Sequence, residues 1–106
     1  MKYSSKENKN NKDSIILKIE ENRIDTQNAG KLEKILNELD LKGYKTLEID
    51  LSEVKSMNTS GIGKLLFFNK KLSKEGKTLK ISAISEELKK VFKLLRIDKV
   101  FDIFDK

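Results

Sequence analysis

Residues 46–66 read TLEIDLSEVKSMNTSGIGKLL, and their pattern changes along the way from that of a strand to that of a helix. Apolar and polar residues alternate over residues 46–51, which predicts a half-buried strand. After a loop at residues 52–60, apolar residues at helical spacing predict a helix over about residues 61–75, which Gly76 terminates. The inward residues of that helix are expected to be Ile62, Leu65, Leu66 and Leu72. A strand followed closely by a helix is one half of a βαβ unit.

The same alternation continues in both directions along the chain. Residues 14–20 and 78–84 are predicted strands, and apolar stripes within residues 29–39 and 88–95 predict two more helices. Residues 100–104 alternate again and are expected to form a last short strand. Because alternating strands and helices imply βαβ crossovers, the sequence predicts a single α/β domain. We expect four to five strands in a mostly parallel or mixed sheet, with helices mainly on one face.

Polar residues and glycines predict where these helices begin and end. Asp25 or Thr26 is expected to cap the first helix, and Gly43 to end it. Ser85 is expected to cap the third helix, with acidic residues in its first turn, where the helix dipole favours them. The inward stripe of the third helix is expected to be Leu88, Val91, Phe92 and Leu95.

The N-terminal residues 1–13 are polar and rich in Lys, Asn and Ser. We expect either a ragged edge strand or a disordered segment there, with the domain itself spanning residues 14–106. No apolar run approaches the ~18–20 residues that a membrane span needs. The first residues also lack the apolar stretch of a signal peptide. We therefore expect a cytoplasmic protein without a membrane span.

The composition excludes several kinds of chemistry. The 106 residues include no Cys and no His. Thiolate nucleophiles, disulfides, Ser-His-Asp triads and metal sites built on Cys or His are therefore excluded. No Walker-type or dinucleotide-type glycine pattern is present either. We expect neither a cofactor nor a metal, and a binding or regulatory protein rather than an enzyme.

The net charge of +6 raises the alternative of a protein that binds nucleic acid or an anionic surface. The lysines are spread over the whole chain, and only two of the 23 basic residues are arginines, Arg23 and Arg96. Arginine is the commonest reader of base edges, whereas lysines on polar faces mainly keep a protein soluble. We therefore expect no direct nucleic-acid partner.

Three small polar residues, Asn58, Thr59 and Ser60, stand just before the second helix, and Gly61 and Gly63 follow them. One interpretation is structural: one polar side chain caps the helix, and the glycines allow its first turn to pack closely on the sheet. The other is functional. A hydroxyl at a helix N-terminus lies beside unpaired backbone N–H groups, so a phosphate is tolerated there, and its charge of about −2 could expel a partner.

Phe67 lies on the same helix, beside Lys64 and Lys71. At about 100° per residue it falls roughly 140° from Ile62 and so projects away from the sheet. An exposed aromatic side chain near a switch loop is a candidate anchor for a protein partner. Packing against a neighbouring helix is the alternative interpretation.

The sequence resembles a STAS domain of the bacterial anti-sigma factor antagonist family over roughly residues 14–104. Residues 50–51 match the family's strand ending in Asp-Leu, and residues 58–63 match its helix opening, Asp-Ser-Ser-Gly-Leu-Gly. Residues 22–29 are similar to its Gly-x-Leu-Asp-x-x-Thr segment, residues 76–95 to its Gly-strand-Ser-helix pattern, and residues 94–101 to its closing signature. The resemblance implies a STAS-like α/β fold.

The resemblance also implies roles for particular residues. The family's phosphorylated serine directly precedes the first glycine, which makes Ser60 the candidate acceptor and Thr59 the second choice. Asp25 matches an acidic loop residue near the kinase-facing surface. Two positions depart from the family pattern: Asn58 replaces an aspartate, and Arg96 replaces a glycine near the end of the third helix.

The partners implied by the resemblance are a serine-kinase anti-sigma factor, which would phosphorylate Ser60 with ATP, and a PP2C-type phosphatase, which would reverse the reaction. The predicted partner-binding surface consists of Asp25, Asn58, Thr59, Gly61, Gly63, Lys64 and Phe67. Because Asn58 removes a charge beside the acceptor, a STAS scaffold or subunit that is not phosphorylated, in another signalling or lipid-transport complex, stays open as an alternative.

Overall fold

The computed structural model describes residues 1–101 and 103. Its elements in chain order are β1 (Tyr3–Asn8), β2 (Asn11–Ile19), β3 (Arg23–Ile24), α1 (Ala29–Glu38), β4 (Thr46–Leu51), β5 (Ser56–Met57), α2 (Thr59–Lys74), β6 (Thr78–Ile84) and α3 (Glu86–Leu94). Strands β4 and β6 have the bounds that the sequence predicts. The strand–helix alternation from β2 to α3 is confirmed.

Four strands form the main sheet, in the order β1-β2-β4-β6. Strands β2, β4 and β6 run parallel, and β1 pairs with β2 in the antiparallel direction. Leu17, Ile49 and Ile81 lie in register across the parallel strands, and all three are fully buried. The alternate residues of β4 are partly exposed on the opposite face. Because only one face is apolar, the helices cover that face, which confirms the predicted mixed α/β sheet.

The polar N-terminal residues form the edge strand β1. It pairs with β2 from Tyr3 opposite Ile19 to Asn8 opposite Asn11, and residues 9–10 make the turn between them. Strand β2 therefore begins at Asn11, earlier than the apolar pattern indicates. On the open face of the sheet, the Asn8 Nδ2 donates to a carboxylate oxygen of Glu48 at 2.6 Å, which joins the end of β1 to β4.

A short parallel ladder joins the predicted loop at residues 52–60 to the segment between β2 and α1. Strand β3 pairs with β5, Arg23 with Ser56 and Ile24 with Met57. A ladder of two residue pairs is too short to show a strand period, so the sequence pattern does not reveal it. Ile24 and Met57 are both buried, and they anchor the chain just before α2.

The predicted ends of α1 are wrong in two respects. The N-cap residue is Asn28, without a side-chain cap bond, rather than Asp25 or Thr26. The helix ends after Glu38, because the backbone of Leu39 is extended with ψ 132°. Gly43, with φ 83°, lies beyond the helix in the turn before β4. Glycine is suited to that left-handed backbone, so it shapes the turn and does not end the helix.

Helix α2 begins at Thr59, two residues before the predicted start, and is the longest helix described, with 16 residues. Ile62, Leu65 and Leu72 are buried as expected, and Leu66 is half-buried against the core. Phe68 is also buried, although the predicted inward set does not contain it. In the part of the chain that the structure describes, no helix is both long and apolar enough to cross a bilayer.

Helix α3 begins as predicted, with the Ser85 hydroxyl accepting from the N–H of Leu88 at 3.2 Å. The expectation that Leu95 faces inward is wrong, since its side chain is 49% exposed. The last strand is not present at Val100 and Phe101, which lie in a turn. Phe101 is buried instead, its ring 5.9 Å from that of Phe92. Residues 102 and 104 of the predicted strand lie outside the described residues.

Candidate functional site

Asn58 holds the N-terminus of α2 in place with three hydrogen bonds. Its backbone N–H donates to the carbonyl of Ile24 at 3.0 Å and extends the β3–β5 ladder. Its side-chain Oδ1 accepts from the N–H of Gly61 at 3.1 Å, and its Nδ2 donates to the hydroxyl of Thr26, also at 3.1 Å. An aspartate at this position could make the capping bond but could not donate to Thr26.

Thr59 and Ser60 are the first two residues of α2, and both are exposed. Their backbone N–H groups are among the donors that a helix leaves without an intrahelical partner at its N-terminus. The positive end of the helix dipole lies at the same place. Either hydroxyl is therefore within reach of a kinase. A phosphate on it would be stabilised by the free N–H groups and the helix dipole. Their assignment as phosphorylation sites stays a prediction.

The two glycines of α2 have different surroundings, although the structural interpretation assigned close packing to both. A Cβ added to Gly61 would lie 2.7 Å from Ile24 Cγ2 and 2.7 Å from Met57 Cγ. A Cβ added to Gly63 would have nothing within 4 Å. Gly61 therefore allows α2 to start close against the β3–β5 ladder. Gly63 has no such role; it leaves open space on the outer side of the helix.

A surface groove of about 370 Å³ begins at the start of α2. Its lining consists of Glu33, Thr59, Ser60, Gly63, Lys64 and Phe67. Lys64 Nζ lies 3.1 Å from Glu33 Oε2, so an ion pair joins α2 to α1 across the groove. Phe67 is 67% exposed at one side of it. The ring is therefore open to solvent, as the anchor interpretation requires, while the anchoring role itself stays a prediction.

Asp25 is half-buried in the loop before α1 and is bonded within that loop. Its Oδ1 accepts from the N–H of Gln27 at 2.9 Å and from that of Asn28 at 3.3 Å. Its Oδ2 lies 3.5 Å from Arg23 Nε. Asp25 is not among the groove residues. It reaches the start of α2 indirectly, because the next residue, Thr26, accepts the hydrogen bond from Asn58.

An ion pair also joins the segment before α2 to α3. Lys55 Nζ lies 3.6 Å from Glu87 Oε2, and the Lys55 N–H donates to the carbonyl of Asn22 at 2.7 Å. The pKa of Glu87 lies below its usual range, first because its carboxylate accepts a bond from its own backbone and then because of the Lys55 charge. Glu87 is thus ionised at neutral pH, and its exposed ion pair links α3 to the segment that leads to Ser60.

Two residues that sequence reasoning did not place in the site are Thr26, the acceptor for Asn58, and Glu33, the ion-pair partner of Lys64. Both lie more than 30 positions from their partners, so no spacing rule connects them. The sequence predicts Thr26 only as a helix cap, and Glu33 is one of several charged residues on α1. Their contacts depend on how α1 lies beside α2, which a local pattern does not show.

The groove brings together two hydroxyl groups, one carboxylate, one ammonium group and one aromatic ring. Within residues 1–101 and 103, no cluster of Asp and Glu side chains is placed to hold a metal ion. An exposed ring flanked by charges of both signs is suited to recognition of a protein surface, where the ring provides affinity and the charges provide register.

Comparisons with known proteins identify the family. The family model of the STAS domain matches residues 5–106 of this chain. A candidate anti-sigma factor antagonist of Thermotoga maritima is 23% identical over 94 residues, which cover 88% of this chain and 83% of that protein.

Two solved structures show the same fold. The crystal structure of an anti-sigma factor antagonist from Mycobacterium paratuberculosis has a TM-score of 0.77 at 21% identity and covers 99% of this chain and 87% of that one. The Bacillus cell fate determinant SpoIIAA in its phosphorylated form has a TM-score of 0.65 at 13% identity, with 97% and 91% covered. Since the family model spans almost the whole chain, the protein belongs to the STAS-domain family.

Proposed function

We propose that this protein is an anti-sigma factor antagonist that binds a serine-kinase anti-sigma factor and loses that partner when the kinase phosphorylates Ser60. The names of its relatives and the phosphorylated form of SpoIIAA support this proposal. The observation that carries it is the exposed Ser60 hydroxyl at the start of α2, beside a groove. In this proposal a PP2C-type phosphatase restores binding, and all three proteins meet in the cytoplasm.

The partner surface follows from helix geometry. Ser60, Gly63, Lys64 and Phe67 are spaced i, i+3, i+4 and i+7, so they lie along one face of α2. Ser60 and Phe67 are two turns apart, about 10 Å along the helix axis. A partner that encloses the Phe67 ring and covers the groove therefore also covers Ser60. The absence of a side chain at Gly63 leaves that path open.

Phosphorylation would change this surface in two ways. The phosphate adds about two negative charges at Ser60, one helical turn from Lys64. The Lys64 ammonium group is already paired with Glu33. If the partner covered it, the dianion would have to give up its hydration, which costs several kcal/mol for a charge without a new partner. The expected loss of affinity is at least about 100-fold, or roughly 2.7 kcal/mol.

The test is phosphorylation by a cognate anti-sigma kinase with ATP, followed by intact-mass and peptide analysis. Wild-type protein should gain one phosphate on the peptide that contains Ser60. Ser60→Ala should gain none, whereas Thr59→Ala and Ser73→Ala should be modified like wild type. Ser73 is the matched control because its hydroxyl is exposed on the same helix, away from the groove. A phosphate on Ser60→Ala would contradict the assignment.

Asn58 favours a second candidate function, that of a STAS scaffold or subunit whose partner binding is not switched. Its amide is bonded to Gly61 and Thr26, and an amide is uncharged, so it offers no negative charge for a kinase to recognise. In this case Ser60→Asp should bind the partner as tightly as wild type does, in a calorimetric titration. The switching function requires clearly weaker binding of Ser60→Asp.

A further inference from the structure

The C-terminal end of α3 exposes apolar side chains. Leu94 is 83% exposed, Leu95 49% and Val100 47%. They are three of the five large exposed hydrophobic residues in the described part of the chain, and all three fall within seven positions. Leu94 projects almost entirely into solvent, so burial within this chain does not account for it. We call residues 89–100 the α3 end.

The α3 end also concentrates positive charge. It contains five basic residues and one acidic residue, Asp98. The basic residues are Lys89, Lys90, Lys93, Arg96 and Lys99. The acidic residues of α3, Glu86 and Glu87, lie at the other end of the helix, and Glu87 is paired with Lys55. Residues 89–100 therefore carry a net charge of +4.

The backbone of Arg96 marks this turn as unusual. The N–H of Ile97 donates to the carbonyl of Phe92 at 3.0 Å, and that of Arg96 to the carbonyl of Lys93 at 3.0 Å. These are the two bonds of a Schellman motif, whose left-handed position favours glycine. Arg96 occupies it with φ 60°. The long cationic side chain of Arg96 therefore lies at a position where the backbone favours glycine, between Leu95 and Lys99 in the chain.

We infer that the α3 end docks this protein onto an anionic lipid surface. Leucine side chains insert at the boundary between headgroups and acyl chains, while Lys and Arg side chains remain among the acidic headgroups. The α3 end offers both kinds of group within residues 89–100. A lipid surface encloses a projecting leucine without needing a preformed pocket, and its negative charge complements the excess of basic residues. This function is separate from the Ser60 groove and would bring the regulator to the membrane.

The test is sedimentation of the full-length protein with vesicles. Binding to vesicles of phosphatidylglycerol and phosphatidylcholine should be clear at low salt and weak at high salt, and vesicles of phosphatidylcholine alone should not bind. Leu94→Ser/Leu95→Ser should weaken binding at least about tenfold, because it removes the inserting groups. Phe67→Ser is its matched control, since it removes an exposed apolar side chain elsewhere, and should change binding less than about twofold.

A second pair of variants tests the charges. Arg96→Gln/Lys99→Gln and Lys70→Gln/Lys74→Gln remove the same number of charges, all from exposed positions. The first should weaken binding about tenfold or more and the second about twofold or less. Circular dichroism of each variant confirms that it is folded. Equal losses from the two pairs would mean attraction by net charge alone and would overturn the inference. So would the absence of binding to acidic vesicles, the result expected if an acidic protein is the occupant.

Discussion

The N-terminus of α2 and the C-terminus of α3 are both exposed ends of helices, but one exposes a polar hydroxyl and the other exposes apolar side chains. At the start of α2, Asn58 accepts a hydrogen bond from the N–H of Gly61 and donates one to Thr26. The exposed group there is the hydroxyl of Ser60. At the end of α3, the backbone is closed by its own hydrogen bonds, and the exposed side chains are leucines among cations.

This difference separates two kinds of interaction surface. A hydroxyl is stable in water as it stands, so the start of α2 gains a function only when a group is added to it or a partner covers it. Exposure of the leucines at the α3 end to water is unfavourable. A surface that covers them therefore stabilises the complex without any modification. One end is suited to a switch, the other to constant docking.

Of the changes proposed here, phosphorylation of Ser60 should produce the largest difference between the start of α2 and the α3 end. We expect phosphate on Ser60 to weaken binding of the anti-sigma factor at least about 100-fold, since the dianion must be desolvated. Leu94→Ser should leave this affinity unchanged, because Leu94 is not part of the groove. Calorimetric titration of the three forms measures both effects. A comparable loss from Leu94→Ser would mean that the ends form one surface.

Gly61→Ala should have the next largest effect. The new Cβ would lie 2.7 Å from Ile24 Cγ2 and from Met57 Cγ, and both side chains are buried. The displacement should lower the free energy of unfolding by about 1–3 kcal/mol. Gly63→Ala is the matched control: with nothing within 4 Å of its Cβ, it should raise the free energy by about 0.5–1 kcal/mol. Urea unfolding measures both, and equal values would contradict the close approach at Gly61.

The sequence was sufficient for the parts of the fold that depend on local pattern. Strand β4 alternates over its full length and β6 over residues 78–82, and Ser85 caps α3 as its position predicts. The ladder of Ile24 with Met57 was not predictable, because two residue pairs show no period. The prediction for Leu95 was wrong because the apolar stripe continues to Leu95, whereas α3 ends at Leu94 and the chain turns at Arg96.

The same distinction holds for the candidate site. The run of polar residues before two glycines predicted that one of Asn58, Thr59 and Ser60 caps the helix, and the structure shows that Asn58 does. The different surroundings of Gly61 and Gly63 depend on which elements pack against α2. The partners of Asn58 and Lys64 come from the loop before α1 and from α1 itself, and only the assembled sheet brings them close.

Asn58 allows a smaller test at the α2 end. Asn58→Ala should lower the free energy of unfolding by about 1 kcal/mol, because it leaves the N–H of Gly61 uncapped. Asn58→Asp keeps the cap and gains from the helix dipole, and it exchanges the bond donated to Thr26 for one accepted from the Thr26 hydroxyl, so it should stay within about 0.5 kcal/mol of wild type. If Asn58→Asp were as unstable as Asn58→Ala, the bond donated to Thr26 would be the main contribution. Thermal and urea unfolding distinguish these results.

Arg96→Gly should have a small effect on stability, opposite in sign to the effects of Gly61→Ala and Asn58→Ala. Glycine accepts φ 60° without the steric cost that arginine has there, so the free energy of unfolding should rise by about 0.5–1 kcal/mol. The same change removes a cation worth about 1 kcal/mol at an anionic surface, so vesicle binding should fall about fivefold. Arg96→Ala removes the same charge but keeps a Cβ, so it should weaken vesicle binding equally and leave stability near that of wild type. If Arg96→Gly stabilises the protein and vesicle binding is unchanged, the side chain of Arg96 has no part in docking.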